Sequence, residues 1–249
     1  MQLDPVIETK KLSKDFGVLR AVNEVDLKVY PGQIHSIIGP NGAGKTTLFN
    51  LLTGFIPSTH GQIFFKGENI TGLTPHTISM KGLARSFQIT SIFPALSVHE
   101  NIRVAAQSRK KESSNFLKHY NRLKEVNEKA EEILEFIGLI EKKKVVSRNL
   151  PYGGKRILDI GIALATNPEV LLLDEPVAGL SSGDIQWMME LIEEISKTLT
   201  VILIDHNIDL VISISHMITV LNQGSVIAQG KPKEIQKNEK VQEAYLGGY

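Results

Sequence analysis

The 249-residue sequence predicts an α/β fold, a parallel sheet covered by helices with a helix-rich stretch inserted into it. Three observations carry this. Ile34–Ile38, Val170–Leu173 and Val201–Ile204 are short apolar runs of the kind that parallel strands, buried on both faces, require. Helical patterns separate these runs, which gives a β–α alternation. From about Gln88 to Tyr152 the rhythm breaks, and the chain turns polar and helix-rich.

In chain order, Val6–Phe16 and Ala21–Tyr30 read as strands with alternating faces, stopped by Pro31-Gly32. Ile34–Ile38 runs into a glycine-rich turn, followed by a helix over Thr46–Leu52 with Gly54 past its end. Gly61–Lys66 is a further strand. Val126, Ala130, Ile133, Leu134 and Ile137 recur at helical spacing, and Gly138 is a natural stop. After Leu150 a helix runs to Asn167-Pro168. Asp184–Lys197 is a helix with Ile185, Met188, Leu191, Ile192 and Ile195 inward. Thr219–Leu221 and Ser225–Ala228 flank Asn222–Gly224 as a hairpin.

Composition narrows the function classes. The 28 basic and 27 acidic residues leave a net charge of +1, which argues against nucleic acid as the main partner. There is no cysteine, hence no disulfide framework and no thiolate metal site. Met1–Lys14 carries acids and lacks an apolar run, so no signal peptide is expected there. No run approaches the ~18 apolar residues of a membrane span. Work at a membrane would require docking to another chain. The basic clusters Arg109-Lys110-Lys111 and Lys142-Lys143-Lys144 read as solvated surface.

The strongest motif is Gly39-Pro40-Asn41-Gly42-Ala43-Gly44-Lys45-Thr46, a G-x-x-x-x-G-K-T loop between a predicted strand and a predicted helix. Its glycines let backbone N–H groups converge on phosphate oxygens, and the next helix directs its positive end at the same anion. Lys45 is the candidate for the β and γ phosphates, the Thr46 hydroxyl for Mg²⁺, and Thr47 joins the phosphate-binding set. The second motif is Val170-Leu171-Leu172-Leu173-Asp174-Glu175, an apolar strand ending in two carboxylates where open α/β sheets bind ligands. Asp174 suits Mg²⁺ through water, and Glu175 suits a general base polarising the attacking water. The third is Val201–Asp205 followed by His206, placed for a γ-phosphate contact. His35, His60, His76, His99, His119 and His216 lack such a setting and read as structural or solvated, as Trp187 reads as packing.

Together these motifs resemble the ATP-binding-cassette (ABC) ATPase family along nearly the whole chain. The resemblance implies a P-loop NTPase core with a parallel sheet, an N-terminal antiparallel β subdomain and an inserted helical subdomain. The chain would then be one ABC ATPase domain, 1–249, with 88–155 inserted between 1–87 and 156–249. It implies that Phe16 stacks on adenine. It also implies that Gln88, in Arg85-Ser86-Phe87-Gln88, contacts Mg²⁺ and water and links to a membrane subunit. Gly179-Leu180-Ser181 would cross a dimer interface. Closer still, Phe16–Val22, Asn50–Phe55, Ala84–Gln88, Asn222-Gln223-Gly224 and Ala244-Tyr245-Leu246-Gly247 resemble the G-type ATP-binding subunit of branched-chain amino acid importers; amide and urea importers share these segments.

One segment departs from the pattern. Where the family has Leu-Ser-Gly-Gly-Gln, this chain has Leu150-Pro151-Tyr152-Gly153-Gly154. Aligning the glycine pair puts Tyr152 at the serine; aligning without gaps to Asp174 puts Pro151 there, the preferred register. Proline lacks both the hydroxyl and the N–H, so two phosphate donors are missing. Ser181 also stands where the family usually has aspartate.

The implied function is an ATP-binding and hydrolysing subunit, with ATP and Mg²⁺, that powers an importer of branched-chain or related amino acids or amides. Implied partners are a second ATPase subunit, identical or different, and integral membrane permease subunits, with a solute-binding protein involved indirectly and no nucleic acid. The implied location is the cytoplasmic face of the inner membrane, peripheral through the permeases. Ile92, Phe93, Leu96 and Val98 are then expected to be exposed on the docking surface, the alternative being that they pack inside the helical lobe. Two competing readings are a non-transport regulatory ABC protein with little turnover and the ATPase of a lipid or lipopolysaccharide exporter.

Overall fold

The computed structural model describes residues 3–86, 92–109 and 116–246. The chain begins with β1 (Ile7–Phe16), β2 (Leu19–Val29) and β3 (Ile34–Ile38), then α1 (Lys45–Leu52). There follow β4 (His60–Phe65), β5 (Glu68–Asn69), α2 (Pro75–Met80) and β6 (Leu83–Arg85). The helical stretch holds α3 (Val98–Gln107), α4 (Phe116–Phe136) and α5 (Tyr152–Ala165). The chain then runs through β7 (Val170–Asp174), α6 (Ser182–Ser196), β8 (Thr200–Ile204) and α7 (Ile208–Ile214). It closes with β9 (Met217–Asn222), β10 (Ser225–Gly230), α8 (Pro232–Gln236) and α9 (Glu239–Leu246).

Two sheets result. The larger has the order β10-β9-β3-β8-β7-β6, parallel except where β10 turns back against β9. The smaller, β2-β1-β4-β5, is antiparallel. Alternation along the central strands explains their apolar runs. Leu171, Leu173, Val201 and Leu203 enter one core with α3, α4, α5 and α6. Val170, Leu172, Ile202 and Ile204 enter the other, with α1 and the antiparallel sheet. Every residue of β3, β7 and β8 is buried. Each polar substitution on those strands therefore meets a packed layer on one side or the other.

The helical stretch is a lobe of α3, α4 and α5 packed on one another. Ser97 caps α3 by accepting from Glu100 N at 3.1 Å. α5 carries the chain across 155–156 as one continuous helix, so the lobe rejoins the core through a helix rather than a loop.

Several expectations need correction. Val98 is fully buried and Ile92 packs half-buried against the core, leaving Phe93 as the exposed member of that set and Leu96 half-buried. The reason is the turn into α3, which points Val98 into the lobe. Arg109 is not solvated surface either. It donates to Ser79 Oγ at 2.8 Å, and burial pulls its pKa down. Lys110 and Lys111 lie outside the described residues. Trp187 does pack, its ring lying 3.3 Å from where a Cβ on Gly138 would sit.

Candidate functional site

The phosphate loop follows directly from β3. A Cβ on Gly39 would sit 2.1 Å from the Leu221 carbonyl oxygen, and one on Gly44 would sit 2.3 Å from that of Ala21. Gly44 also has φ +98°. Only glycine fits either place, because β2 and β9 press against the loop from two sides. Gly224, in the β9–β10 turn, completes the support: its N–H donates to Ala43 O at 3.1 Å and its carbonyl accepts from Asn23 N at 2.8 Å.

Gly44 caps α1 in the left-handed conformation with no side-chain hydrogen bond. Among the described residues, the first N–H groups of α1 thus have no side-chain cap at the end where the helix dipole is positive. Lys45 is buried beside them. Its Nζ donates to Gly39 O at 2.7 Å and Pro40 O at 3.0 Å. Burial pulls its pKa down, while the Glu175 and Asp174 carboxylates push it up. Thr46 is exposed and Thr47 half-buried; Asn41 and Gly42 are exposed on the loop, Pro40 half-buried and Ala43 buried beneath it.

Strand order brings the other groups alongside. β8 lies between β3 and β7, parallel to both, so their C-terminal ends open on the same edge. Asp174 ends β7, buried and ion-paired with Arg85 at 2.7 Å. Glu175 follows with φ +50°, a conformation that costs a non-glycine residue about 1–3 kcal/mol. Its N–H donates to Ile204 O at 2.8 Å, which fixes the strained residue to the end of β8. From the next residues of that strand, His206 Nε2 reaches Glu175 Oε1 in direct contact. The phosphate loop, Asp174, Glu175 and His206 are thus brought together.

Two predicted positions behave differently. Gln88 lies outside the described residues; β6, three residues before it, ends beside β7. Phe16 is half exposed at the end of β1, with Lys14 Nζ 5.1 Å from its ring centroid.

The Leu150–Gly154 segment sits apart, on the lobe. Pro151 is the N-cap of α5 at φ −61°, ψ 163°, with no side-chain hydrogen bond. Lys155 N donates to Pro151 O at 3.0 Å, the first intrahelical bond, so the N–H groups of Tyr152, Gly153 and Gly154 precede the ladder. Proline therefore sits at the cap, not within the first turn, and leaves the helix intact. Tyr152 lies 3.2 Å from where a Cβ on Gly179 would be, and the Asp184 carboxyl carbon lies 3.3 Å from where one on Gly153 would be. Ser181 caps α6 and donates to Asp184 Oδ2 at 2.6 Å. Among the described residues, no hydrogen bond joins this segment to the phosphate loop.

Three residues escaped the sequence. Arg85 and Asn50 bond each other at 2.6 Å behind Asp174. Asp205 is buried next to the Glu175–His206 pair, its Oδ1 accepting from Asn207 N at 2.9 Å and its Oδ2 without a hydrogen-bond partner among the described residues. Burial pushes its carboxyl pKa up. Each was in plain view, Arg85 three residues before Gln88 and Asp205 before His206, but only the fold shows what they face. His35, buried within β3, contacts Thr219 Oγ1 at 2.8 Å, and burial pulls its ring down to about 4.

Hard oxygen donors, Asp174 and the Thr46 hydroxyl, suit Mg²⁺. Among the described residues, no group of three or more His, Cys, Asp or Glu could hold a metal alone.

The chain matches the family model described as "ABC transporter" over residues 22–178. Residues 225–249 match the model "Branched-chain amino acid ATP-binding cassette transporter". It is 42% identical over 250 residues to the high-affinity branched-chain amino acid transport ATP-binding protein LivG of Escherichia coli, covering 98% of each chain. It is 41% identical over 252 residues to BraF of Pseudomonas aeruginosa, which carries the same description, again covering 98% of each. Among solved structures it is similar to the ADP conformation of MJ1267, an ATP-binding cassette of an ABC transporter. There the TM-score is 0.85 at 31% identity, covering 98% of this chain and 99% of that one.

Proposed function

The chain belongs to the ABC transporter family, and from that premise we propose that it is the ATP-hydrolysing subunit of an importer for branched-chain or related amino acids or amides. One observation carries the catalytic part. His206 touches Glu175 at the shared edge where the phosphate loop and Asp174 also end. The match of residues 225–249 supports the solute class.

In this reading the N–H groups of Gly42–Thr46 and the Lys45 ammonium hold the β and γ phosphates, and Phe16 stacks on adenine. Thr46, Gln88 and Asp174 hold Mg²⁺, which neutralises phosphate charge when bound. The Glu175 carboxylate accepts a proton from the attacking water as it adds to the γ-phosphorus, while the bond from that phosphorus to the β–γ bridging oxygen breaks and ADP leaves with the oxygen. His206 Nε2, on Oε1, keeps that carboxylate turned toward the phosphate. The opposing face of the nucleotide comes from a second ATPase subunit, through the start of its helix corresponding to α5. The working unit is one ABC ATPase domain, 1–249, with 88–155 as the helical subdomain inserted between 1–87 and 156–249. Among the described residues, no helix is long and apolar enough to cross a membrane. The chain is placed at the cytoplasmic face of the inner membrane by permease subunits, which a solute-binding protein feeds.

Glu175→Gln tests the catalytic role. Hydrolysis should fall by about 10²–10⁴-fold while ATP binding persists; turnover near wild type would remove Glu175 as the base. Pro151 at the α5 cap favours a second reading, a regulator with little turnover. Co-purification with a membrane permease, and a rise in turnover on reconstitution with it, separates the two. Full turnover by the isolated chain would refute the inference that Pro151 weakens the grip of the α5 start on a phosphate.

A further inference from the structure

Asp174 offers two carboxylate oxygens, and Arg85 takes one of them. Arg85 Nη2 donates to Asp174 Oδ2 at 2.7 Å, while Nη1 donates to Asn50 Oδ1 at 2.6 Å. Both charged side chains are buried, 7% and 2% exposed. The guanidinium also lies 5.6 Å from the Phe49 ring centroid and 5.9 Å from that of Phe55. One planar group therefore ties three elements: β6, which it belongs to; α1, which carries Asn50 and follows the phosphate loop; and β7, which ends in Asp174.

Stability alone is a poor reason for such a pair. Burying two charges costs about as much as their attraction returns, and an apolar replacement is often neutral or better. Orientation is a better reason. A guanidinium presents a rigid fork, and each prong here has a different acceptor, with aromatic faces beside its plane. Oδ2 is thereby fixed relative to α1, which leaves the second oxygen of Asp174 at a set position with respect to Thr46.

We propose that Arg85 is a positioning residue that holds the Asp174 carboxylate in register with α1 for the divalent cation of the bound nucleotide. The proposal rests on the metal-binding reading of Asp174 and adds Arg85 and Asn50 to it. Hydrogen-bond partners behind a metal-ligating carboxylate are commonly worth about 10–100-fold in metal affinity.

The test is calorimetric titration of the full chain with ADP, in excess MgCl₂ and in EDTA. Arg85→Lys keeps the positive charge and loses the fork. The tightening of ADP binding by Mg²⁺ should shrink about tenfold in this variant, with the EDTA affinity held. A wild-type Mg²⁺ effect in Arg85→Lys would overturn the proposal, because charge alone would then suffice. Equal weakening in both buffers would overturn it too, since the fork would then merely brace the phosphate loop. If Arg85→Lys does not fold, Asn50→Ala decides: the Mg²⁺ effect should shrink about threefold, the worth of one hydrogen bond, and no change would refute the fork. A wild-type chain indifferent to Mg²⁺ would remove the metal reading itself, and this proposal with it. Loss in the variants alone is the supporting result.

Discussion

The helices α1 and α5 both begin without a side-chain cap, and they differ in what surrounds the bare end. α1 starts from left-handed Gly44, with buried Lys45 beside it and Asp174 and Glu175 on the adjoining strand end. α5 starts from Pro151, with the Asp184 carboxylate against Gly153 and Tyr152 against Gly179. Both ends expose N–H groups and a positive dipole. At α1 a lysine reinforces that field in the presence of the Asp174 and Glu175 carboxylates. At α5 a carboxylate opposes it, and the cap contributes neither hydroxyl nor N–H. The same backbone device is complete in one place and depleted in the other, and the proposed contrast of a strong and a weak half-site rests on that difference.

Glycine replacement should separate the two ends most sharply. Gly44→Ala drives a Cβ into the Ala21 carbonyl at 2.3 Å from a backbone with φ +98°. A loss of about 2–5 kcal/mol in chemical denaturation is expected, together with loss of nucleotide binding. Gly154→Ala meets only Leu150 and Pro151 carbons at 3.5 Å, ordinary contact. It should stabilise the chain by about 0.5 kcal/mol through lower unfolded-state entropy. Equal effects at the two positions would break the comparison.

Acid should strike the α1 side. His35 lies in β3, the strand that leads into the phosphate loop, and burial holds its ring neutral down to about pH 4. The unfolded ring titrates near 6.5, so the unfolded chain binds the extra proton first. Stability from His35 is therefore full above about pH 6.5 and falls as pH drops toward 4, by roughly 3 kcal/mol in total. Urea titrations of wild type and His35→Gln across that range measure it. The variant should have the flatter profile, and parallel profiles would show that the ring is not the cause.

What the sequence made legible was local. β3, β7 and β8 were readable because burial on both faces leaves continuous apolar runs, and the phosphate loop because its spacing is dictated by one anion. Pro151 was visible as a departure for the same reason. What stayed hidden depends on residues far apart in the chain. β6 is three residues long and has no periodicity to display; its role exists only because Leu83–Arg85 pairs with Val170–Leu172. Arg85 and Asp174 are 89 positions apart, and no pattern in either neighbourhood announces the pair. Val98 looked like a docking residue because hydrophobicity alone does not say which way a helix start faces. The Asp184 carboxylate beside Gly153 was equally out of reach, since it requires α6 to lie against the start of α5.

The asymmetry between the two helix starts is tested most directly by restoring what Pro151 lacks. Pro151→Ser supplies a cap hydroxyl and an N–H to a bound phosphate, one charge-assisted hydrogen bond or more. ATP hydrolysis by the isolated full chain, measured before and after the substitution, should rise about tenfold. An unchanged or lower rate, with the variant folded, would contradict a weak half-site at α5 and place the limit elsewhere in the chain.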